Sequence, residues 1–274
     1  MSSLDTYSQA VPPCVSIITV CYRNPAELEQ TLAGFTQLDS SLFEVIIVDG
    51  SPDDSCAKIA AHFPNFRHLH GPDGGKYDAM NKGLASARGE SLLFMNSGDR
   101  LDNPTALSEL VRRNREILAS TIVYGDCIRV VNGEHIESRA PELSDANLRL
   151  GILPSHQSIL IPASFHQRNP YDARLHFAAD TKLLKAAFRA LPRLHVEAVI
   201  GVYAYGGVST SPGSWRVLAR QYRELCDAHE LRLFERIGVA ASLIRRKLFH
   251  WVGGEAGLQR SQARRLKRSL AQSV

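Results

Sequence analysis

Two short apolar runs near the start of the chain limit strongly what it can fold into. Residues 14–21 (CVSIITVC) and 43–49 (FEVIIVD) are continuous, β-branched and largely apolar. Such runs are typical of parallel strands that are covered on both faces. Residues 25–38 between them have apolar side chains at helical spacing behind Pro25, and proline is favoured at the first position of a helix. The sequence therefore predicts a βαβ unit.

The same alternation continues towards the middle of the chain. The pattern predicts two helices and two strands, at residues 53–63, 77–87, 66–69 and 91–96. With right-handed crossovers, the strand ends at Val20, Asp49 and Asn96 lie along one edge of the sheet. Ligands of open α/β sheets bind at that edge. The predicted fold class is α/β, with a Rossmann-like, mostly parallel sheet flanked by helices.

The second half of the chain adds further elements and a basic tail. We predict helices at 104–118 and 177–191, strands at 121–131, 157–161 and 196–205, and a polar loop at 132–150. From Trp215 onward the pattern is helical and basic. We therefore expect one α/β domain over residues 1–210 and a basic, amphipathic helical region over residues 211–274.

Cysteine usage and the N-terminal residues indicate where the chain works. Its 5 cysteines are scattered without a C-x-x-C pair, so neither a disulfide framework nor a zinc site is expected. The N-terminal residues lack the basic and apolar regions of a secretory signal. No apolar run reaches the roughly 18 residues that a membrane span needs. We expect a cytoplasmic protein, peripheral to the inner face of the plasma membrane.

Positive charge is concentrated at the C-terminal end. Residues 211–274 carry 13 Lys/Arg against 5 Asp/Glu, a balance of +8, so the net +4 of the chain leaves −4 for the first 210 residues. Basic and aromatic residues alternate there, which suits an anionic membrane surface. A helix packed on the domain with a solvated basic face is the alternative. Nucleic-acid binding is not expected, because no reading motif is present.

Four motifs in order give the sequence a specific resemblance. They are SIITVCYRN (16–24), VDGSPDDS (48–55), YDAMNKG (77–83) and FMNSGD (94–99). Together they resemble the family 2 glycosyltransferases with the GT-A fold, and within them the bacterial enzymes of exopolysaccharide assembly of the colanic-acid type. The resemblance covers roughly residues 14–208.

This resemblance implies an inverting glycosyltransferase. Such an enzyme moves a sugar from a nucleotide-sugar, here a UDP-sugar, to a lipid-linked or oligosaccharide acceptor in cell-surface polysaccharide biosynthesis. Two other classes compete with it. A sugar-nucleotide pyrophosphorylase shares the α/β plan but should have a glycine-rich basic loop after the first strand, where this chain has VCYRN (20–24). A noncatalytic saccharide- or nucleotide-binding protein is the second alternative.

The donor nucleotide is expected at the ends of the first strands. The resemblance implies that Asp49 accepts a hydrogen bond from the base, whereas a lone Asp after a strand otherwise favours an Asx turn. Thr19 and Asn24 belong to the first strand and its loop, where backbone groups commonly meet a nucleotide. A loop with a helix cap is the alternative for that segment.

The helix start after Gly71 is a second donor-binding candidate. Lys76, Asp78, Asn81 and Lys82 follow a glycine-rich turn, where backbone donors, the helix dipole and lysine charge can hold a diphosphate. Asp78 and Lys82 could instead form an i,i+4 surface pair. We expect Asp78 and Asn81 to lie near the nucleotide.

The turn from Asn96 to Asp99 falls where many GT-A enzymes have an Asp-x-Asp motif. The resemblance implies that Asp99 coordinates a divalent cation, Mg²⁺ or Mn²⁺, which neutralises charge on the departing diphosphate. Asn96, a donor-binding candidate, and Gly98 stand where the motif has acids. This departure leaves Asp99 as the expected metal ligand.

Asp180 is the candidate catalytic base. Inverting transfer needs a carboxylate that takes the proton of the acceptor hydroxyl, although an Asp at a helix start is also an ordinary N-cap. His156 and Gln157 resemble a His-Gln pair of the exopolysaccharide enzymes and are expected on the acceptor or diphosphate side. A purely structural histidine is the alternative for His156.

Overall fold

A computed structural model describes residues 12–131, 133–204, 215–228, 231–245 and 247–248. Within these residues, nine strands form a single sheet. The strands are β1 (Val15–Cys21), β2 (Phe43–Asp49), β3 (Arg67–His70), β4 (Ser91–Phe94), β5 (Arg100–Leu101), β6 (Ile122–Val131), β7 (Glu134–Ser138), β8 (Ile159–Pro162) and β9 (Arg193–Ala204). The helices are α1 (Pro25–Phe35), α2 (Ser55–Ala60), α3 (Lys76–Ser86), α4 (Pro104–Arg113), α5 (Asp145–Leu150), α6 (Ala163–Arg168), α7 (Ala179–Ala190) and α8 (Trp215–Ala228).

The sheet has a parallel half and a mixed half. Its order is β3-β2-β1-β4-β8-β6-β9-β5, with β7 paired to β6. Strands β1 to β4 run parallel to one another, β8 runs antiparallel to both β4 and β6, and β6 and β9 are parallel. The predicted α/β sheet flanked by helices is confirmed.

Both faces of the sheet are buried, as the continuous apolar strands require. Alternate residues of a strand point to opposite faces, so Ile17 packs with α1 and α4 while Ile18 packs with α3 and α7. Leu32 of α1 and Met80 of α3 are each almost completely buried in their own layer. This double cover holds the strand ends rigidly and leaves one edge of the sheet for a site.

The polar loop predicted at 132–150 is wrong. It contains β7, which pairs antiparallel with β6, and α5, whose N-cap Ser144 accepts a hydrogen bond from the Asn147 amide. Both elements are too short to show a clear period, because β7 buries only Ile136. The strand predicted from Gln157 begins at Ile159, since residues His156–Ser158 form a 3-10 turn.

The described part of the tail packs on the α/β domain. Glu224 of α8 is buried and accepts hydrogen bonds from the backbone amides of His176 (2.9 Å) and Phe177 (2.7 Å). A further helix over residues 233–245 follows. None of the helices described is both long and apolar enough to cross a membrane. Residues 249–274, a large part of the basic tail, lie outside the described residues.

Candidate active site

The loops after β1, β2 and β4 meet at one edge of the sheet, as predicted. Cys21 and Asp49 are directly paired at the ends of β1 and β2. The amide of Ser97 donates to the carbonyl of Val20 (3.1 Å), and the amide of Gly50 donates to the carbonyl of Cys21 (3.1 Å). These contacts join the three loops into one polar surface.

The turn from Asn96 to Asp99, here called the acidic turn, is held at this edge by several hydrogen bonds. Oδ2 of Asp99 accepts hydrogen bonds from the Asn96 amide (2.8 Å) and from Nε2 of Gln157 (3.1 Å). Gly98 has φ +96°, a conformation that favours glycine, so an acidic residue at this position would be strained. Thr31 of α1 braces the turn, because its hydroxyl accepts from the Gly98 amide and donates to the Asp99 carbonyl.

Burial removes water from the carboxylate of Asp99 and from the amide oxygen of Asn96. Burial raises the pKa of Asp99 to about 7, since water is removed from around its charge. Oδ1 of Asn96 is buried and has no hydrogen-bond partner among the described residues. A buried acceptor without a partner is costly and points to a missing donor or ion.

Asp180 and His156 face each other across the same site. Oδ2 of Asp180 lies 3.9 Å from Nδ1 of His156, and Nε2 of His156 lies 3.4 Å from Nδ2 of Asn96. Burial lowers the pKa of His156 to about 4, so the imidazole is neutral at pH 7. His156 therefore links the base candidate to the acidic turn.

The alternative interpretation of Asp180 as an N-cap is wrong. The N-cap of α7 is Ala178, and Asp180 lies within the first turn. Its Oδ1 accepts a hydrogen bond from the Thr181 amide (2.7 Å). The hydroxyl of Tyr77 is buried and has no hydrogen-bond partner among the described residues. Burial raises the pKa of this phenol far above its usual range, and the charge of nearby Asp180 raises it further.

One cluster therefore unites five of the predicted site residues, namely Asn96, Asp99, His156, Gln157 and Asp180. Lys76 at the start of α3 adds positive charge, which opposes the effect of burial on the pKa of Asp99 and adds to the lowering at His156. A buried carboxylate (Asp99), a half-buried one (Asp180), a neutral imidazole and the Lys76 cation around unpaired polar atoms are the composition of a reactive site.

Asp49 lies in a more closed environment. It is completely buried, its Oδ1 accepts from the Ser51 amide (2.9 Å), and its Oδ2 lies 3.4 Å from Nε2 of His68. The alternative Asx turn is thus present in this structure. The thiols of Cys21 and Cys56 lie beside Asp49, with ligand atoms of all three within 4.8 Å. Burial and the Asp49 charge raise the pKa of Cys21 far above its usual range, so this thiol stays protonated as a core residue.

Thr19 is not accessible at the crevice. It lies two positions before the end of β1, on the same face as Ile17 and Cys21, which pack against α1. Its side chain is fully buried, and its hydroxyl has no hydrogen-bond partner among the described residues. Strand alternation turns the side chain into the core, so Thr19 is placed away from the predicted nucleotide contact.

Asn24 and Asp78 shape the loops around the crevice. Nδ2 of Asn24 donates to the Ser97 hydroxyl, and its Oδ1 accepts from the Tyr22 amide, so it joins the first loop to the acidic turn. Oδ2 of Asp78 accepts from the Gly74 amide (2.9 Å) and lies 3.2 Å from Nζ of Lys82. The i,i+4 pair proposed as the alternative for Asp78 is therefore present.

Comparisons with known proteins identify the family. The family model "Glycosyl transferase family 2" matches residues 16–150. The chain belongs to this family. An uncharacterized glycosyltransferase of Mycobacterium tuberculosis (strain ATCC 25618 / H37Rv) is 37% identical over 102 residues, 36% of this chain and 39% of that protein. The chain thus spans about two-fifths of that relative. A PGL/p-HBAD biosynthesis glycosyltransferase of Mycobacterium bovis (strain BCG / Pasteur 1173P2) is 29% identical over 219 residues, 73% of this chain and 80% of that one.

Solved structures confirm the GT-A fold of this family 2 member. S. aureus TarS 1–349 in complex with UDP-GlcNAc has a TM-score of 0.57 and 18% identity, covering 87% of this chain and 73% of that one. The mannosyltransferase PcManGT from Pyrobaculum calidifontis in complex with GDP-Man and Mn²⁺ has a TM-score of 0.56 and 16% identity, covering 96% and 80%. At these identities the likeness shows the fold alone.

Three residues that shape the loops and the polar cluster, Thr31, Asp73 and Tyr77, were not found by sequence reasoning. Asp73 lies so close to the β2 loop that a Cβ on Gly50 would meet its Oδ2 at 1.9 Å. Asp73 lies in the glycine-rich turn before α3, but no local sequence pattern pairs that turn with Gly50. Tyr77 belongs to the motif YDAMNKG, but an aromatic residue in a helix is usually part of the hydrophobic core. Thr31 gave no signal, because a single Thr in a helix is common.

Asn81, a predicted donor contact, is hydrogen-bonded to the protein backbone in this structure. Its Nδ2 donates to the Tyr171 carbonyl (2.9 Å) and its Oδ1 accepts from the Tyr171 amide (2.9 Å), so both amide groups are occupied. We expect Asn81→Ala to lower the free energy of unfolding by about 2 kcal/mol, because two backbone groups lose their partners. Urea unfolding measures this. An unchanged stability with a large loss of nucleotide affinity would restore the donor-binding role.

Proposed function

We propose that this chain is an inverting glycosyltransferase that moves a sugar from a UDP-sugar to a lipid-linked saccharide or oligosaccharide in cell-surface polysaccharide biosynthesis. The observation that carries the proposal is the convergence of Asp99, Asn96, His156 and Asp180 at the edge of a GT-A sheet. Family membership makes sugar transfer the chemistry to test first, and the solved neighbours named with UDP-GlcNAc and GDP-Man support a nucleotide-sugar donor.

The donor would lie across the ends of β1, β2 and β4. Asp49 is the candidate that accepts a hydrogen bond from the nucleobase. For this its carboxylate would replace its contact with Ser51 or His68 by one with the nucleotide. Asn24 and Asp78 border the same crevice through the loops that they hold. Lys76 stands at the N-terminus of α3, where exposed amides and lysine charge favour a diphosphate. The donor site thus uses loop and helix-start groups, with Thr19 and Asn81 acting as supports.

The residues of the acidic turn fit a hard divalent cation. Asp99 supplies a carboxylate and Asn96 an unpaired buried amide oxygen, and oxygen ligands are those that Mg²⁺ and Mn²⁺ prefer. The two thiols beside Asp49 belong to a different, softer environment. A bound cation would offset the charge that develops on the leaving diphosphate.

Asp180 would act as the base of a single displacement. Its carboxylate takes the proton of the acceptor hydroxyl while that oxygen attacks C1 of the sugar, and the bond from C1 to the diphosphate breaks. Attack opposite the leaving group inverts the configuration at C1. Neutral His156 beside Asp180 and Asn96 keeps the two ends of the reaction aligned, because it approaches both.

Two alternative functions differ in what they predict. A pyrophosphorylase would exchange pyrophosphate with the nucleotide-sugar, and the exposed loop after β1 lacks the glycine-rich basic sequence for that. A noncatalytic binding protein would bind a nucleotide-sugar without turning it over. The buried, electrostatically perturbed carboxylate of Asp99 favours a catalytic site over simple binding.

A nucleotide-sugar screen tests the proposed function. We expect one or a few UDP-sugars to bind and to release UDP slowly in the presence of Mn²⁺, with EDTA abolishing the release. A membrane extract that supplies lipid-linked saccharides should accelerate release. Binding of donors with no release under any condition would support the noncatalytic alternative, and pyrophosphate-dependent formation of UTP would support the pyrophosphorylase.

The location of the protein follows from the proposed acceptor. A lipid-linked saccharide is held in a membrane while the UDP-sugar is dissolved, so the enzyme would work in the cytoplasm at the inner face of the plasma membrane. We propose residues 1–210 as the catalytic domain and residues 211–274 as the region that associates with the anionic membrane surface. No nucleic-acid partner is proposed.

A further inference from the structure

One side of the C-terminal helix (residues 233–245) exposes large apolar side chains. Four of these residues, here called the apolar face, are between 45% and 77% exposed. They are Leu233, Phe234, Ile237 and Ile244. At about 100° per residue, these positions fall within one arc of about 100°. Contiguous exposed apolar side chains mark an interaction surface.

The opposite side of this helix is fixed to the domain. Arg149 of α5 makes a two-pronged ion pair with Glu235, with Nη1 to Oε2 at 2.7 Å and Nη2 to Oε1 at 2.8 Å. Leu243 is buried. Glu235 and Leu243 lie about 200° and about 280° around the helix from Leu233, so they face away from the apolar face. The helix is therefore held with its apolar face outwards.

The charge around the apolar face is positive. Arg236 and Arg245 are exposed and flank this face, about 60° and about 20° beyond its two edges around the helix. Residues 231–248, which contain the helix, carry five Lys/Arg against one Glu. A second copy of the chain on this face would bring like charges together in a twofold contact. Anionic lipid headgroups would complement the same charge.

We propose that the apolar face docks into the headgroup region of an anionic phospholipid bilayer, with the C-terminal helix lying in the plane of the interface. Exposed large apolar side chains flanked by arginines are what an interfacial helix requires. The inference rests on the proposed function only for its purpose, which is to bring the enzyme to a lipid-linked acceptor. Arg149 belongs to α5, which packs on α7, the helix that carries Asp180. Docking would therefore place the bilayer near the proposed catalytic base.

Vesicle flotation of the full-length chain tests the docking. We expect binding to phosphatidylcholine vesicles that contain phosphatidylglycerol, and much weaker binding to phosphatidylcholine alone. The variant Phe234→Ser/Ile237→Ser should bind the anionic vesicles about tenfold more weakly or worse, because two inserted side chains are lost. Arg236→Gln/Arg245→Gln should lose about fivefold for each charge removed and show a smaller salt dependence. The matched control Ile152→Ser removes a similarly exposed apolar side chain outside the helix and should bind as the wild type does.

Three results would overturn the proposal. The first is the absence of binding to anionic vesicles, and the second is equal binding by wild type and Phe234→Ser/Ile237→Ser. The third is a stable dimer that this variant dissociates, measured by light scattering, which would assign the face to a second copy. Thermal melting of each variant verifies that it folds. UDP-sugar binding without vesicles is measured in parallel, so loss of docking with intact donor binding contradicts only this inference, whereas docking without donor binding contradicts only the proposed function.

Discussion

Asp180→Asn is expected to lower the rate of sugar transfer by about a hundredfold or more, the usual scale for loss of a general base. Asparagine has nearly the shape of aspartate and can still accept the hydrogen bond from the Thr181 amide. It cannot take a proton from the acceptor hydroxyl. The melting temperature and the affinity for the UDP-sugar should therefore stay close to those of the wild type, and steady-state UDP release with acceptor measures the loss.

A carboxylate in the preceding segment provides the matched control for Asp180. Asp172 is hydrogen-bonded to Arg174 and lies 3.4 Å from Nζ of Lys182, and neither of these partners belongs to the cluster around Asp99. Asp172→Asn should leave transfer nearly unchanged. If Asp180→Asn transfers sugar at close to the wild-type rate, the base lies elsewhere, and His156→Ala becomes the next variant to measure. Its neutral imidazole lies 3.9 Å from the Asp180 carboxylate and can accept a proton.

The parallel half of the fold follows directly from local sequence patterns. Strand β2 was predicted with its observed bounds, and β1 differs by one residue, because fully buried parallel strands consist of uninterrupted apolar runs. The edge position of Asp49 and Asn96 then follows from the handedness of crossovers. These are rules about a single βαβ unit, so one sequence is enough to apply them.

The centre of the site could not be assembled from the same patterns. Asn96 meets His156 across 60 residues of sequence, because β8 inserts antiparallel between β4 and β6. The local hydrophobic pattern does not predict this position in the sheet, because β8 has only four residues. The family resemblance predicted separate roles for His156 and Asp180. The distance of 3.9 Å between Nδ1 of His156 and Oδ2 of Asp180 depends on how α7 packs against the sheet.

Asn81 and Thr19 show a second limit of sequence reasoning. Both polar residues stand near the predicted site, yet one is bonded to the Tyr171 backbone and the other is turned into the core. A polar residue in a site motif can serve the ligand or the scaffold, and the choice depends on which backbone groups would otherwise lack partners. That information exists only in the folded chain.

Asp99→Asn is expected to remove most of the Mn²⁺ dependence of donor binding. Loss of an outer-shell partner alone typically weakens metal binding by 10–100-fold, so loss of the carboxylate ligand should cost about a hundredfold or more. Titration of the UDP-sugar with Mn²⁺ and with EDTA measures the effect. Asp102→Asn, which alters an exposed acid three residues further on, should retain the full Mn²⁺ response. Identical donor affinities with Mn²⁺ and EDTA in the wild type would remove the metal from the mechanism.

The pH dependence of the stability of the metal-free protein independently tests whether Asp99 is the charged group of the acidic turn. Because burial raises the pKa of Asp99 to about 7 in the folded chain, above the roughly 3.9 of an unfolded Asp, the folded state holds a proton that the unfolded state has released. The free energy of unfolding should therefore fall as the pH rises from about 4 to 7, by up to about 4 kcal/mol for this group.

Asp99→Asn should lack this fall and be at least as stable as the wild type at pH 8 in EDTA. Mn²⁺ should restore stability to the wild type alone at that pH, because only a carboxylate in the turn gains from a neighbouring cation. A wild type and variant with parallel pH profiles would show that Asp99 is not the charge that this turn is built to present.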